Sequence, residues 1–87
     1  MVVSYSGAGT VDDPIRILGV SNNYEAVQAE YQYLQKRFGV QNRDWKLVRQ
    51  VLVKTPTGRM NDLMVVRQAD GRPIEIRFDI TEYFGKW

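Results

Sequence analysis

The sequence predicts a single small α+β domain, in which one amphipathic helix packs on a mostly antiparallel sheet of three to four strands in the order β-α-β-β-β. Apolar residues recur with helical spacing over residues 22–38, and three β-prone runs separated by glycine-containing turns follow. A chain of 87 residues is long enough for one hydrophobic core and too short for two independently stable units. We therefore treat residues 1–87 as one domain.

The N-terminal segment predicts a loop followed by a short strand. Residues 1–14 join a short β-prone start to a Ser-Gly-Ala-Gly-Thr run and an Asp-Asp-Pro turn signal, so we expect this segment to be partly flexible. Residues 15–20 are mainly aliphatic and β-branched, which suits a strand. The glycines at 7, 9 and 19 lack the spacing of a phosphate-binding loop.

The helix is the clearest element of the sequence. Its apolar stripe consists of Tyr24, Val27, Tyr31, Leu34 and Phe38, at steps of three or four residues. Asn22 is placed to cap the first turn, Glu25 to return a bond to the capping residue, and Gly39 to end the helix. Glu30 and the other polar residues fall largely off the stripe, so we expect that side to face water.

Three strand predictions follow, over residues 45–55, 59–68 and 73–80. The last alternates most regularly, and its expected inner residues are Ile74, Ile76, Phe78 and Ile80. The first alternates less well, which a bulge near Arg49 or burial of both faces would explain. A second helix capped by Asp44 is the alternative for this run, but Val48, Val51 and Val53 favour a strand. The tail, residues 81–87, is compatible with one helical turn.

The residue types present argue against catalysis. The chain has neither histidine nor cysteine, so the commonest general base, metal ligand and thiol nucleophile are all missing. The pairs Asp12 with Asp13 and Asp79 with Glu82 could in principle bind a hard cation, but they read better as a turn and a strand end. We expect no enzyme activity, no cofactor and no metal. Without cysteine or a long apolar run, the sequence predicts a soluble cytoplasmic protein with no membrane segment.

Charge is distributed unevenly along the chain. Residues 1–35 carry a net charge of −3, residues 36–59 of +6 and residues 60–87 of −1. The basic middle segment supports a nucleic-acid-binding hypothesis, with Trp45 available for stacking. Its candidate residues are Arg37, Arg43, Lys46, Arg49 and Lys54. Strand alternation places Lys46 and Arg49 on opposite faces unless a bulge intervenes.

Aromatic and apolar residues support the leading hypothesis, a small protein-interaction module that acts as an accessory or regulatory subunit. Tyr and Trp dominate binding hot spots, so Tyr33, Trp45 and Trp87 are interface candidates, although core or edge cover would also explain each of them. Residues 60–66 place apolar groups on both faces of one strand, so a homodimer could bury the second face. Met64 and Val66 are the candidates for that contact.

Overall fold

The protein is one helix packed on a five-stranded mixed sheet, as described by a computed structural model that covers residues 3–84. The elements in chain order are β1 (Ser4–Ser6), β2 (Ile15–Leu18), α1 (Asn23–Phe38), β3 (Trp45–Lys54), β4 (Met60–Gln68) and β5 (Pro73–Asp79). The strands lie in the order β1-β2-β5-β4-β3. Across residues 3–84, no helix has the length and apolar character that crossing a membrane requires.

The predicted α+β class is confirmed, and the sheet differs from the prediction in two details. The strand count is five because β1 pairs with β2 in an antiparallel hairpin. The sheet is mixed because β2 pairs with β5 in parallel, whereas β5 with β4 and β4 with β3 are antiparallel. The helix thus carries the chain from β2, near one side of the sheet, to β3 at the opposite edge. Residues 45–54 form a strand, as the β-branched residues predicted.

Both ends of α1 follow the sequence signals. The side chain of Asn22 accepts a hydrogen bond from the amide of Glu25 at 2.9 Å. Glu25 in turn accepts from the amide of Ser21 at 2.8 Å, one residue earlier than predicted. Gly39 ends the helix at φ 108°, where its amide donates to the carbonyl of Gln35. The two caps therefore fix the helix length.

The face that α1 buries coincides only in part with the predicted stripe, since Leu34 is fully buried and Tyr31 and Phe38 pack against the core. Its buried residues are Ala26, Ala29, Glu30 and Leu34, whereas Tyr24 is 64% exposed. The prediction that Glu30 faces water was wrong, because this side chain is only 1% exposed. Alanine lets a helix approach a sheet closely, and small residues carry little weight in a pattern defined by large side chains.

The core lies between α1 and one side of the sheet, which we call the inner face. Its largest members from the sheet are Trp45, Phe78, Ile15, Ile17, Met64 and Ile76. The predicted inner residues of β5 lie on this face, since Ile76, Phe78 and Ile80 are all buried and Ile74 packs against them. Tyr83, in the turn after β5, donates a hydrogen bond from its hydroxyl to the carbonyl of Ile17. This turn thereby closes the core at β2.

The loop between β1 and β2 folds back on itself. The amides of Ala8, Gly9 and Thr10 all donate to the carbonyl of Asp13, at 2.8 to 3.2 Å. The carbonyl of Gly9 also accepts from the amide of Arg77 at 2.8 Å. Gly9 of this loop therefore bonds to the edge of β5 just beyond the short stretch where β2 and β5 pair in parallel.

Gly7 begins this loop, and we expect Gly7→Ala to destabilise the protein more than Gly58→Ala. Both glycines have positive φ, 106° and 85°, a conformation that costs alanine about 1 kcal/mol or more. A Cβ at Gly7 would also collide with the backbone carbonyl oxygen of Pro14, whereas a Cβ at Gly58 meets no atom within 4 Å. Urea denaturation of the two variants measures the difference. Equal losses of unfolding free energy in the two variants would show that the loop accommodates the Cβ at position 7 without additional cost.

Candidate functional site

A β-bulge in β3 decides which side chains share a face of the sheet. Leu47 and Arg49 pair with adjacent residues of β4, so Val48 is an extra residue and the register shifts between them. The predicted bulge near Arg49 is thus confirmed. Its consequence is that Lys46 and Arg49, which regular alternation would separate, lie on the same face.

That face is the outer face of the sheet, opposite α1. Met64 and Val66 are fully buried on the inner face, so the alternate residues Leu63, Val65 and Arg67 project outward. Cross-strand pairing then sets the neighbours on β3. Lys46 pairs with Arg67, Arg49 with Val65 and Val51 with Leu63.

We call this group the outer patch, defined as Lys46, Arg49, Val51, Leu63, Val65 and Arg67. Its three apolar side chains are partly exposed and its three cations are exposed. Among the residues of the described chain, none of these three cations takes part in an ion pair. Glu75, which pairs with Val65, is the acidic neighbour on β5. The outer patch is therefore an apolar centre beside unpaired positive charge.

The residues that the sequence offered as protein-interface candidates lie elsewhere. Trp45 is 1% exposed, and its indole Nε1 donates to the carbonyl of Gly39 at 2.8 Å. Met64 and Val66 are fully buried under the helix. Tyr33 is half-buried, its ring centroid lying 5.6 Å from that of Phe78. These side chains hold the core together and do not form a shared surface.

The last interface candidate, Trp87, lies outside the described residues. The expectation that this tail aromatic covers a sheet edge therefore stays a prediction.

The structure brings together only two of the five nucleic-acid candidates, Lys46 and Arg49. Arg37 lies on the last turn of α1 and donates to the hydroxyl of Tyr33 at 3.1 Å. Arg43 is paired with the neighbouring Asp44 at 2.9 Å, and the guanidinium holds the pKa of that carboxyl below its usual value. The basic middle segment is therefore divided among separate surfaces.

The fifth candidate, Lys54, lines a cleft of about 810 Å³ at one end of the outer face. We call this the end cleft. It lies between the loop before β2 and the turn that joins β3 to β4, and the residues that matter most for its chemistry are Asp12, Arg16, Arg59, Asn61, Arg77 and Asp79. The end cleft adjoins the outer patch on the outer face, because Arg77 of the cleft pairs with Leu63 of the patch.

An ion pair between the partly exposed Arg59 and the buried Asp79 forms one wall of the end cleft. Arg59 donates to Asp79 from Nε at 2.9 Å and approaches it with its terminal nitrogen at 2.8 Å. Thr81 donates to the same carboxylate from its hydroxyl at 2.6 Å and from its amide at 3.0 Å. Burial alone would raise the pKa of Asp79, but these hydrogen bonds and the guanidinium hold it below its ordinary value. Asp79 is therefore an ionised structural residue.

A pair of carboxyl groups lies on the inner face, apart from the end cleft. Glu30 of α1 is buried beside Asp62 of β4, and burial, together with the nearby Asp62, raises the pKa of Glu30 to about 10. Asp62 also accepts a hydrogen bond from Gln50 at 2.8 Å. A proton retained by Glu30 supplies the donor that a bond between two carboxyl groups requires.

Sequence reasoning missed Arg67, Arg16, Arg77 and Asn61. The alternation of β4 predicts that Arg67 lies on the same face as Leu63 and Val65. Arg67 was not among the candidates because the basic segment from which they were taken ends at residue 59. Arg16 and Arg77 come together only through the parallel pairing of β2 with β5, which connects distant parts of the chain.

Comparison of the chain with protein-family models, with curated proteins and with solved structures finds no match.

Proposed function

We propose that this chain is a protein-interaction module whose outer patch binds an acidic segment of a partner protein. The observation that carries the proposal is the bulge in β3, which sets Lys46 and Arg49 beside Arg67 on one face. A partly exposed apolar centre supplies area to bury, and unpaired cations at its side favour a partner of opposite charge. The proposal assigns the chain no catalytic role.

Charge favours an acidic partner over a second copy of this chain. Two copies meeting through their outer patches would bring Lys46, Arg49 and Arg67 of each close to the same cations of the other. Like charges at an interface are unfavourable and act against such pairing. Glu75 supplies only one carboxylate next to the patch to offset them.

A nucleic acid is the second candidate, and the same three cations support it. Proteins that bind single strands usually add aromatic side chains on which bases stack. The outer patch contains aliphatic and basic residues only, and Trp45, the aromatic residue expected to stack, is buried. This distribution favours the protein partner.

Affinity capture with matched charge-reversal variants tests the proposal. Lys46→Glu with Arg49→Glu should weaken capture of the partner at least about tenfold, because it replaces attraction with repulsion at the patch. The matched control, Lys36→Glu with Arg37→Glu, makes the same charge change at exposed sites of α1, which packs on the opposite face of the sheet, and should bind as the original chain does.

Each capture is run with and without nuclease, and the isolated chain is sized by light scattering. A captured protein supports the proposal only if the patch variant loses it, the control retains it and nuclease leaves it bound. Loss of all partners on nuclease treatment would favour the nucleic-acid candidate. A dimer disrupted by the patch variant would replace the proposal with self-association.

A further inference from the structure

The end cleft contains a buried amide with no partner. Asn61 is 1% exposed, and neither its Oδ1 nor its Nδ2 has a hydrogen-bond partner among the residues that the structure describes. The side chain belongs to the outer face, because Asn61 pairs with Val53 and Asp79 and all three line the cleft. A buried amide that lacks both a donor and an acceptor partner is costly to a fold, so its retention needs an explanation.

Two arginines line the same cleft as this amide. Arg16 pairs with Asp79 across the parallel strands, and Arg77 precedes Asp79 by two residues on the same face of β5. Within residues 3–84 neither Arg16 nor Arg77 forms an ion pair, in contrast to Arg59, which is held by Asp79. The guanidinium groups of Arg16 and Arg77 can therefore receive an oxyanion through paired N–H donors.

The acidic residues of the cleft restrict the charge of that oxyanion. Asp12 and Asp13 line the same space as the two arginines. Asp13 accepts a hydrogen bond from the amide of Ala8 at 3.0 Å and so is fixed in the loop. Carboxylates this near disfavour a doubly charged phosphate more than a singly charged carboxylate.

We propose that the end cleft binds a terminal carboxylate that has an amide next to it, the chemistry shared by an N-acyl amino acid and the last residue of a peptide. Arg16 and Arg77 receive the carboxylate. The amide of the ligand supplies one donor and one acceptor, which complement the carbonyl oxygen and the amino group of Asn61. A cleft of about 810 Å³ is within the range of small-ligand sites. This site adjoins the outer patch through Arg77 and Leu63, but it does not depend on the function proposed for the patch.

The test is an NMR titration of the isotope-labelled full chain with N-acetylalanine. The expected result is a saturable shift of the Asn61 side-chain amide signals. N-acetylalanine methylamide, which lacks the carboxylate, should leave those signals unmoved. Acetyl-tetraalanine separates the two sources: tighter binding than N-acetylalanine indicates a peptide end, and equal binding indicates a small N-acyl amino acid.

Variants at the surface of the cleft keep the test independent of folding. Arg16→Gln and Arg77→Gln should each weaken binding about tenfold, the size of effect expected from losing one charged hydrogen bond. Arg72→Gln, at an exposed arginine outside the cleft, should change nothing. The proposal is overturned if the Asn61 signals do not respond, if the methylamide binds equally well, or if inorganic phosphate binds more tightly than N-acetylalanine.

Discussion

Glu30→Gln is expected to stabilise the protein at neutral pH and to remove most of the pH dependence of its unfolding above about pH 5. Burial, together with the nearby Asp62, raises the folded-state pKa of Glu30 to about 10 from an ordinary value of 4.5. Near pH 7 the folded chain keeps this proton and the unfolded chain releases it. Glutamine keeps the shape and donates a hydrogen bond to Asp62 without needing a proton.

The sign of this effect follows from the direction of the pKa shift. The stabilising contribution of protonated Glu30 is complete below the unfolded pKa and is lost as pH rises toward the folded value of about 10. At 1.36 kcal/mol for each pH unit, the loss between 4.5 and neutral pH is about 3 kcal/mol. Asp79, whose pKa is lowered, acts in the opposite sense, because its contribution is lost as pH falls through its folded pKa.

Urea denaturation from about pH 5 to pH 9 measures the difference without interference from Asp79, which is ionised there in both states. The original chain should lose stability steadily over this range, and Glu30→Gln should show a much flatter profile. Glu75→Gln, at an exposed glutamate of β5, is the matched control and should retain the slope. A slope unchanged in Glu30→Gln would mean that the carboxyl is ionised in the folded protein.

Trp45→Ala is expected to cost about 3–5 kcal/mol of unfolding free energy, the range for removing a buried aromatic side chain from a core. The indole is 1% exposed and lies among the residues of the inner face. The substitution also leaves the carbonyl of Gly39, at the helix end, without the indole N–H. The loss therefore combines a cavity with a broken hydrogen bond.

Trp45→Phe separates these two contributions and tests the idea that Trp45 contacts a partner. Phenylalanine fills part of the space without the N–H donor, so the cost should be clearly smaller than for alanine. Folded Trp45→Phe should bind the partner as the original chain does. A Trp45→Ala variant that is nearly as stable as the original chain but no longer binds would instead place this residue in an interface.

Much of the fold could be predicted because it depends on local patterns. A strand is predicted by the alternation of Ile74, Ile76 and Phe78, and a helix start by the capping residue Asn22. Each signal lies within a few residues of sequence. β1 was weaker in the sequence, because Ser4–Ser6 is short and is held by pairing with β2. The parallel contact between β2 and β5 joins segments about sixty residues apart, which no local pattern reports.

The buried face of the helix could be predicted only in part, because the stripe identified Leu34 but misplaced two other residues. Periodicity counts Tyr24 as apolar and Glu30 as polar, yet Tyr24 is exposed and Glu30 is buried. The pairing of Glu30 with Asp62 is what makes that carboxyl compatible with the core, and it depends on a residue of a distant strand.

The candidate site could be predicted only in part. The charge of residues 36–59 pointed to Lys46 and Arg49, but whether they share a face depended on the bulge in β3. Residue type alone favoured Trp45 as a residue that contacts a partner, but its side chain is buried and belongs to the core. Asn61 gave no signal in the sequence, because an isolated asparagine in a strand becomes informative only when its hydrogen-bond partners are known.

Methyl NMR on the outer patch tests the central claim most directly. The chain is titrated with a short peptide of glutamate and leucine at low and at high salt. Binding at the patch predicts shifts of the Val51, Leu63 and Val65 methyl groups that weaken as salt rises and disappear in the Lys46→Glu, Arg49→Glu variant. Shifts confined to other surfaces, or shifts that persist unchanged in that variant, would contradict the assignment of the outer patch as the binding site.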